Sequence, residues 1–257
     1  RGGAAAWYQH ITPHYHDILS FYTADEFRLR NETRVHEQKG RLKHFDIGDF
    51  DREVIEHVKR ARGLDKVKIL HPSLMYNLFN VFWRQQAPIT LVEAFGTFRQ
   101  LPKLPLGDLA AELPREYVAV KFYANSALPD SPANRAFIAR VLSDISQTTD
   151  VVLLNTGQRY DDHSDFAPPR HERLHTVEHL MTPETNLEVQ TRIICGAKAF
   201  VGTYGGFSYL APFYGTNTVA FYSNPTAFRF DHLEVSKRVF SSLKSGSFVP
   251  LDVRDVD

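Results

Sequence analysis

The residues with the clearest chemical pattern form a short segment around two adjacent glycines. An apolar run at residues 199–203 leads into a turn, and helix-forming residues begin near Phe207. A buried strand followed by such a turn points the first backbone N–H groups of the next helix, and the positive end of its dipole, at a ligand. The pattern predicts a diphosphate site contacted by Thr203, Tyr204, Gly205, Gly206 and Ser208.

The residue types in this turn suit that chemistry. Gly205 and Gly206 let the backbone approach a ligand because they have no Cβ, and Thr203 and Ser208 carry hydroxyl donors. The alternative is an ordinary strand-to-helix turn that binds nothing, and the motif alone does not separate the two. If the site is real, valine at either glycine should abolish phosphate binding and leave the fold intact.

The residues around the turn resemble the nucleotide-sugar segment of heptosyltransferase-like glycosyltransferases, which have the GT-B fold. The similarity covers a helix, a strand, the glycine turn, a helix rich in leucine and alanine, and a closing strand. It rests on residues 185–203, Gly205, Gly206, Leu210, Ala211, Gly215 and residues 218–222. The family usually has an aspartate immediately before the Thr-Gly of the turn, and this chain departs from that pattern. The resemblance therefore implies a nucleotide-sugar donor without specifying a heptose.

The resemblance also implies donor contacts elsewhere. They would come from Lys121, at the end of an apolar strand, from Thr156 and Gly157 after the next strand, and from Glu184 beside the nucleoside ribose. A lysine in an apolar strand is costly unless its ammonium reaches an anion or water. Each of these contacts has an alternative interpretation. Lys121 would lie on an edge strand and reach solvent, and the loop around Glu184 would only cap a helix.

Histidines offer a base and, less directly, metal ligands. His71 follows a predicted parallel strand, which would place it at the carboxyl edge as a general base or acceptor contact. His171, His175 and His179 are spaced by four and would share one face of a helix. The apolar residues among them fit a short strand equally well, and no carboxylate or cysteine pattern completes a site. We therefore predict no metal.

Strand and helix patterns alternate in the second half of the chain. Strands are predicted at residues 117–123, 151–154, 199–203 and 218–222, and helices at 133–146, 186–196 and 207–214. This alternation is typical of a doubly wound parallel sheet. In the first half a helix at 51–62 ends at Gly63, a strand follows at 67–70, and residues 74–83 are helical in pattern.

The predicted fold class is α/β of GT-B type, with two Rossmann-like halves whose parallel sheets face a cleft. Residues 1–110 would be the acceptor-side domain and residues 111–257 the nucleotide-sugar-binding domain, joined by the proline-rich stretch at 100–114. The chain opens at Arg1 without an initiator methionine, so we expect the first half to be incomplete.

Composition excludes several classes of protein. Lys plus Arg number 30 and Asp plus Glu number 30, with no long block of either sign, so nucleic acid is not an expected partner. We find no apolar run long enough for a transmembrane segment and no signal peptide, and we expect a cytoplasmic protein. The single cysteine, Cys195, lies in an apolar helical pattern and is predicted to be buried.

These observations together predict a metal-independent glycosyltransferase. It would move a sugar from a nucleotide-diphosphate donor to an acceptor hydroxyl of a glycan or small molecule, as in bacterial-type polysaccharide synthesis. The donor is a substrate, and no further cofactor is expected. Two alternatives use the same fold: a nucleotide-sugar epimerase, and a non-catalytic module that binds a nucleotide or sugar.

Overall fold

The structure, a computed structural model, describes residues 47–67, 88–95, 98–157, 164–183, 185–243 and 246–256, together with residues 25, 28, 29, 32, 81 and 82. These residues belong to two compact units. One lies within His14–Thr97, and the other contains the described residues from Phe98 onwards.

Two helices define the described part of the first unit, α1 (Asp49–Arg62) and α2 (Ile89–Phe95). At the start of α1 the Asp51 carboxylate accepts a hydrogen bond of 3.0 Å from the Gly48 N–H. The helix ends at Gly63, whose φ of 61° is left-handed, as its sequence predicts. Most of the strand predicted at 67–70 and of the helix predicted at 74–83 lies outside the described residues. The sheet predicted for this half therefore stays a prediction.

The second unit is built on a parallel sheet. Its described strands are β1 (Tyr117–Lys121), β2 (Tyr123–Ala124), β3 (Asp150–Leu153), β4 (Ser164–Asp165), β5 (Leu174–Thr176), β6 (Ala199–Thr203), β7 (Asn217–Tyr222) and β8 (Phe248–Asp252). Six of them form one sheet in the order β5-β3-β1-β6-β7-β8, and every neighbouring pair is parallel. The other two, β2 and β4, pair as a short antiparallel ribbon.

Helices cover both faces of this sheet. They are α3 (Pro132–Thr148), α4 (Asn186–Gly196), α5 (Gly206–Phe213) and α6 (Phe230–Leu243). On one face α3 packs through Phe137, Ile138 and Leu142 against β1, β3 and β6. On the other face α4 and α5 pack against β1, β3 and β6, while α6 joins an aromatic cluster with β7 and β8. Coverage of both faces explains why these strands are nearly all apolar.

The strand order defines the architecture. Numbered along the chain within the sheet, the strands lie in the order 3-2-1-4-5-6, which is the Rossmann arrangement. The chain moves outward in one direction from β1 to β5, and then returns to start again at β6 beside β1. The α/β class and the parallel second half predicted from sequence are confirmed.

Residues 100–114, predicted to be the connection between the halves, belong to the second unit and are hydrogen-bonded to its helices. The Leu101 N–H donates to the Phe213 carbonyl at 2.8 Å. The Arg192 guanidinium donates to the Pro105 carbonyl at 3.0 Å and to the Asp108 carboxylate at 2.7 Å. Across the part of the chain that the structure describes, no helix is both long enough and apolar enough to cross a bilayer.

Candidate functional site

The order of the strands reverses between β1 and β6, and doubly wound sheets bind their ligands at the carboxyl ends of the strands beside such a switch point. Lys121, the last residue of β1, lies in register with Gly202 of β6. Beyond them, the Thr203 hydroxyl donates to the Tyr123 carbonyl at 2.8 Å and accepts from the Tyr123 N–H at 2.9 Å. The helices α3 and α5 lie on opposite faces of the sheet, which is the arrangement that borders a ligand at a switch point.

The predicted turn leads directly into α5. Gly205 is the N-cap residue; its N–H donates to the Ser208 hydroxyl at 3.0 Å, and that hydroxyl donates to the Gly205 carbonyl at 2.6 Å. The hydroxyls of Thr203 and Ser208 are thus bonded to backbone groups of the turn. What α5 presents to a ligand is its first backbone N–H groups, which have no acceptor within a helix.

The Tyr204 side chain packs into the aromatic cluster. Its hydroxyl accepts a hydrogen bond of 2.9 Å from the Tyr209 hydroxyl, and its ring lies 4.6 Å from that of Phe228, between centroids. Burial raises the pKa of Tyr204. The backbone N–H of Arg229 lies 3.4 Å from the same hydroxyl, and this arginine directly follows the cluster residue Phe228.

The two glycines of the turn have different surroundings. A Cβ at Gly205 would collide with the Tyr123 hydroxyl and lie 3.2 Å from the ring carbon that carries it. A Cβ at Gly206 would meet nothing within 4 Å. The expectation that either glycine can be enlarged without harm to the fold is therefore wrong for Gly205. Gly205 is required by Tyr123 itself, and only Gly206 faces open space.

Lys121 is buried at the end of a central strand and does not reach solvent, which rules out the edge-strand alternative. Its ammonium donates to the Leu154 carbonyl at 2.8 Å and to the Asp165 carboxylate at 3.1 Å. Burial lowers the pKa of Lys121, while the nearby carboxylates of Asp165 and Glu178 oppose that shift. The anion that Lys121 reaches in this structure belongs to the protein.

Thr156 and Gly157 lie at the same carboxyl edge, after β3. The Thr156 N–H donates to the second oxygen of the Asp165 carboxylate at 2.8 Å, so Asp165 joins this segment to Lys121. Gly157 has a φ of 64°, and a Cβ there would lie 3.3 Å from the Glu178 carboxylate. The structure thus brings together Lys121, Thr156, Gly157 and the turn from Thr203 to Ser208 at one edge of the sheet.

Sequence reasoning missed four polar residues of this edge: Tyr123, Asn125, Asp165 and Arg229. The Asn125 side-chain oxygen accepts from the Ala127 and Leu128 N–H groups, and its amide nitrogen donates to the Tyr204 carbonyl at 3.2 Å. Burial raises the pKa of Tyr123 to about 12, opposed by a hydrogen bond with Asn125. Both residues directly follow β1, which is the signal that could have identified them.

The remaining predicted residues have separate outcomes. His71 and Glu184 lie outside the described residues. His175 is in β5, while His179 is in a 3-10 helix at Glu178–Leu180, so the shared helical face considered for His171, His175 and His179 does not exist. Among the described residues no group of three or more His, Cys, Asp or Glu could hold a metal. Cys195 is buried as predicted, and burial raises the pKa of its thiol to about 11.

The fold and this edge define a doubly wound α/β protein with a Rossmann-type sheet and a group of polar residues at the carboxyl ends of its strands. Comparison with family models, curated proteins and solved structures finds no match to the chain.

Proposed function

We propose that the second unit binds a nucleoside diphosphate sugar at the switch point and that the chain is a GT-B type glycosyltransferase. The observation that carries the proposal is the open space beyond Gly206, at the N-terminus of α5. This point lies just beyond the carboxyl end of β6 at the switch point, where doubly wound sheets bind their ligands. The resemblance of residues 185–222 to heptosyltransferase-like enzymes supports the same ligand class.

Charge at this edge favours an anionic ligand beside α5. Backbone N–H groups and the helix dipole supply a partial positive charge. Arg229, whose backbone N–H lies 3.4 Å from the Tyr204 hydroxyl, has a half-exposed guanidinium 3.8 Å from the Asp231 carboxylate. Water screens such a pair, so this guanidinium would be available to add positive charge beside a bound diphosphate. During transfer these groups would stabilise the diphosphate as it leaves the sugar, which is how a metal-independent donor site neutralises charge.

The contacts of Lys121 suggest a modified role for that residue. Asp165 already neutralises its ammonium in a buried pair, so its contribution to phosphate binding would be smaller than that of α5. It would instead hold Asp165, and through it the Thr156 backbone, in position. The base that deprotonates the acceptor hydroxyl would come from the residues before Phe98, where His71 is the candidate.

A ligand screen tests this proposal. We expect one nucleoside diphosphate or its sugar conjugate, among those of uridine, guanosine, adenosine and thymidine, to raise the unfolding temperature of the chain. A ligand at a hundredfold excess over Kd stabilises the native state by about 2.7 kcal/mol. Arg229→Met should weaken binding of the diphosphate by about tenfold and leave the affinity for the nucleoside unchanged, because only a charge-assisted contact with the phosphates is lost. No shift with any of these ligands would contradict the proposal.

Products then separate the enzymatic alternatives. A glycosyltransferase releases free nucleotide only as a sugar is transferred to an acceptor. An epimerase alters the sugar of the bound nucleotide with no acceptor present. Binding without turnover, across a broad panel of acceptors, would indicate a non-catalytic module.

A further inference from the structure

A cavity lies at the carboxyl edge, on the α3 side of the ribbon that β2 forms with β4. Its volume is about 220 Å³, and Asp130, Arg135, Ser164 and Asp165 supply its polar lining. Ile138 and Phe166, both buried, supply much of its apolar wall. Pockets for drug-sized ligands start at about 300 Å³, so this cavity fits a smaller molecule.

The cavity is lined by opposite charges that are already paired. Arg135 donates to both oxygens of the Asp130 carboxylate, at 2.5 and 2.6 Å, and this holds the pKa of Asp130 below its usual range. Asp165 is paired with Lys121 at 3.1 Å. A phosphate would have to displace Asp130 from Arg135 and approach Asp165, a second carboxylate. The arrangement therefore disfavours an anion.

A neutral polyhydroxylated ring fits the same lining. Ionised carboxylates accept hydrogen bonds and cannot donate them, so they match hydroxyl donors. The Ser164 hydroxyl both donates and accepts, and the N–H groups of Arg135 that do not bond Asp130 can donate to ring or hydroxyl oxygens. The apolar wall suits the C–H face of the ring, and the volume admits one ring.

We propose that this cavity is a binding site for a single neutral sugar residue. Asp165 connects it to the switch point, because one oxygen of that carboxylate meets Lys121 and the other meets the Thr156 N–H. A bound sugar would therefore lie beside the strand that ends at Lys121. Its use as a subsite in sugar transfer rests on the proposed function, but its binding of a sugar does not.

Saturation-transfer NMR on the full chain tests the proposal, with the methyl glycosides of glucose, galactose and mannose and with N-acetylglucosamine as probes. We expect transfer to at least one of them, and no competition from an excess of inorganic phosphate. Asp130→Asn should weaken binding of that sugar by about tenfold, since a charge-assisted hydrogen bond to it is lost. Ala167→Trp, which puts a large ring at the rim of the cavity, should abolish binding.

Glu116→Gln is the matched control. Glu116 is an exposed carboxylate that forms an ion pair of 2.8 Å with Lys198, and it does not line the cavity. It should bind the sugar like the wild type. Circular dichroism would verify that each variant is folded. Transfer to none of the four sugars, or equal loss in Glu116→Gln and Asp130→Asn, would overturn the proposal. Sugar binding without any nucleotide binding would support the sugar site in the cavity and contradict the proposed function. Nucleotide binding without any sugar binding would support the proposed function and contradict the sugar site.

Discussion

The two edges of the parallel sheet use charged residues in different ways. At the carboxyl edge the side chains of Lys121 and Asp165 are only 10% and 14% exposed. At the amino edge, Lys198 and Glu116 form an ion pair of 2.8 Å whose side chains are 57% and 68% exposed. Water screens the second pair and leaves it little net energy, while the first would leave a buried charge behind if one partner were removed. Of these two ion pairs, the structure buries the one at the carboxyl ends of the strands.

Removing the buried cation should have the largest effect. Lys121→Met leaves the Asp165 carboxylate without its cation, and we expect a loss of about 3–5 kcal/mol in the free energy of unfolding. Lys198→Met, the matched change at the amino edge, should cost about 0–1 kcal/mol. Urea denaturation measures both. Adding Asp165→Asn to Lys121→Met should restore most of the loss, because asparagine removes the charge and keeps an acceptor for Thr156. Equal costs at the two edges would show that the comparison is wrong.

The glycine turn should show the next largest effect. Gly205→Ala places a methyl group against the Tyr123 hydroxyl and should cost about 1–3 kcal/mol, as overpacking does. In a Tyr123→Phe background the methyl would meet only the ring carbon, at 3.2 Å, and the cost should fall below about 1 kcal/mol. A double-mutant cycle measures this coupling. Gly206→Ala is the control and should change stability by less than about 0.5 kcal/mol. Additive effects of the two substitutions would disprove the contact.

Tyr123 should titrate late, which is a smaller effect. Burial raises its pKa to about 12, above the value of roughly 10 in an unfolded chain. A raised pKa stabilises the fold below the unfolded value, and the contribution disappears as pH rises through the folded value. The stability difference between wild type and Tyr123→Phe should therefore be constant below about pH 9 and change between about pH 10 and 12. An ultraviolet difference titration of the wild type against Tyr123→Phe gives the midpoint for the Tyr123 hydroxyl. A midpoint at about pH 10 would contradict the claim that burial raises this pKa.

Local patterns were sufficient for the elements with strong periodicity. The bounds predicted for α4 and β6 agree with the structure, since an apolar helix, a short turn and a continuous apolar strand follow one another there. By contrast, β8 was missed because Pro250 interrupts its pattern. The strand tolerates proline as an edge strand of the sheet, and that position depends on tertiary structure.

The site was predictable only in part, for a similar reason. The turn and Lys121 can be recognised because each follows a strand. The partner of Lys121 is 44 residues away in sequence, in a stretch with no regular pattern, and only folding brings the two together. The contact between Tyr123 and Gly205 also forms only on folding. The sequence pattern suggested that Gly205 is a glycine to let a ligand approach, whereas the structure shows that the Tyr123 side chain leaves no room for a Cβ there.

The most direct test of the central claim is calorimetric titration of the wild type and Gly206→Val with UDP, GDP and ADP and with the matching nucleosides. Gly206 is the position where a side chain meets open space at the start of α5, so valine should block a phosphate there without disturbing Tyr123. We predict that the wild type binds one diphosphate and that the variant, with an unchanged unfolding temperature, binds it at least about tenfold more weakly and the nucleoside equally well. Equal diphosphate affinity in the two folded proteins, or no binding by the wild type, would contradict a diphosphate site at this turn.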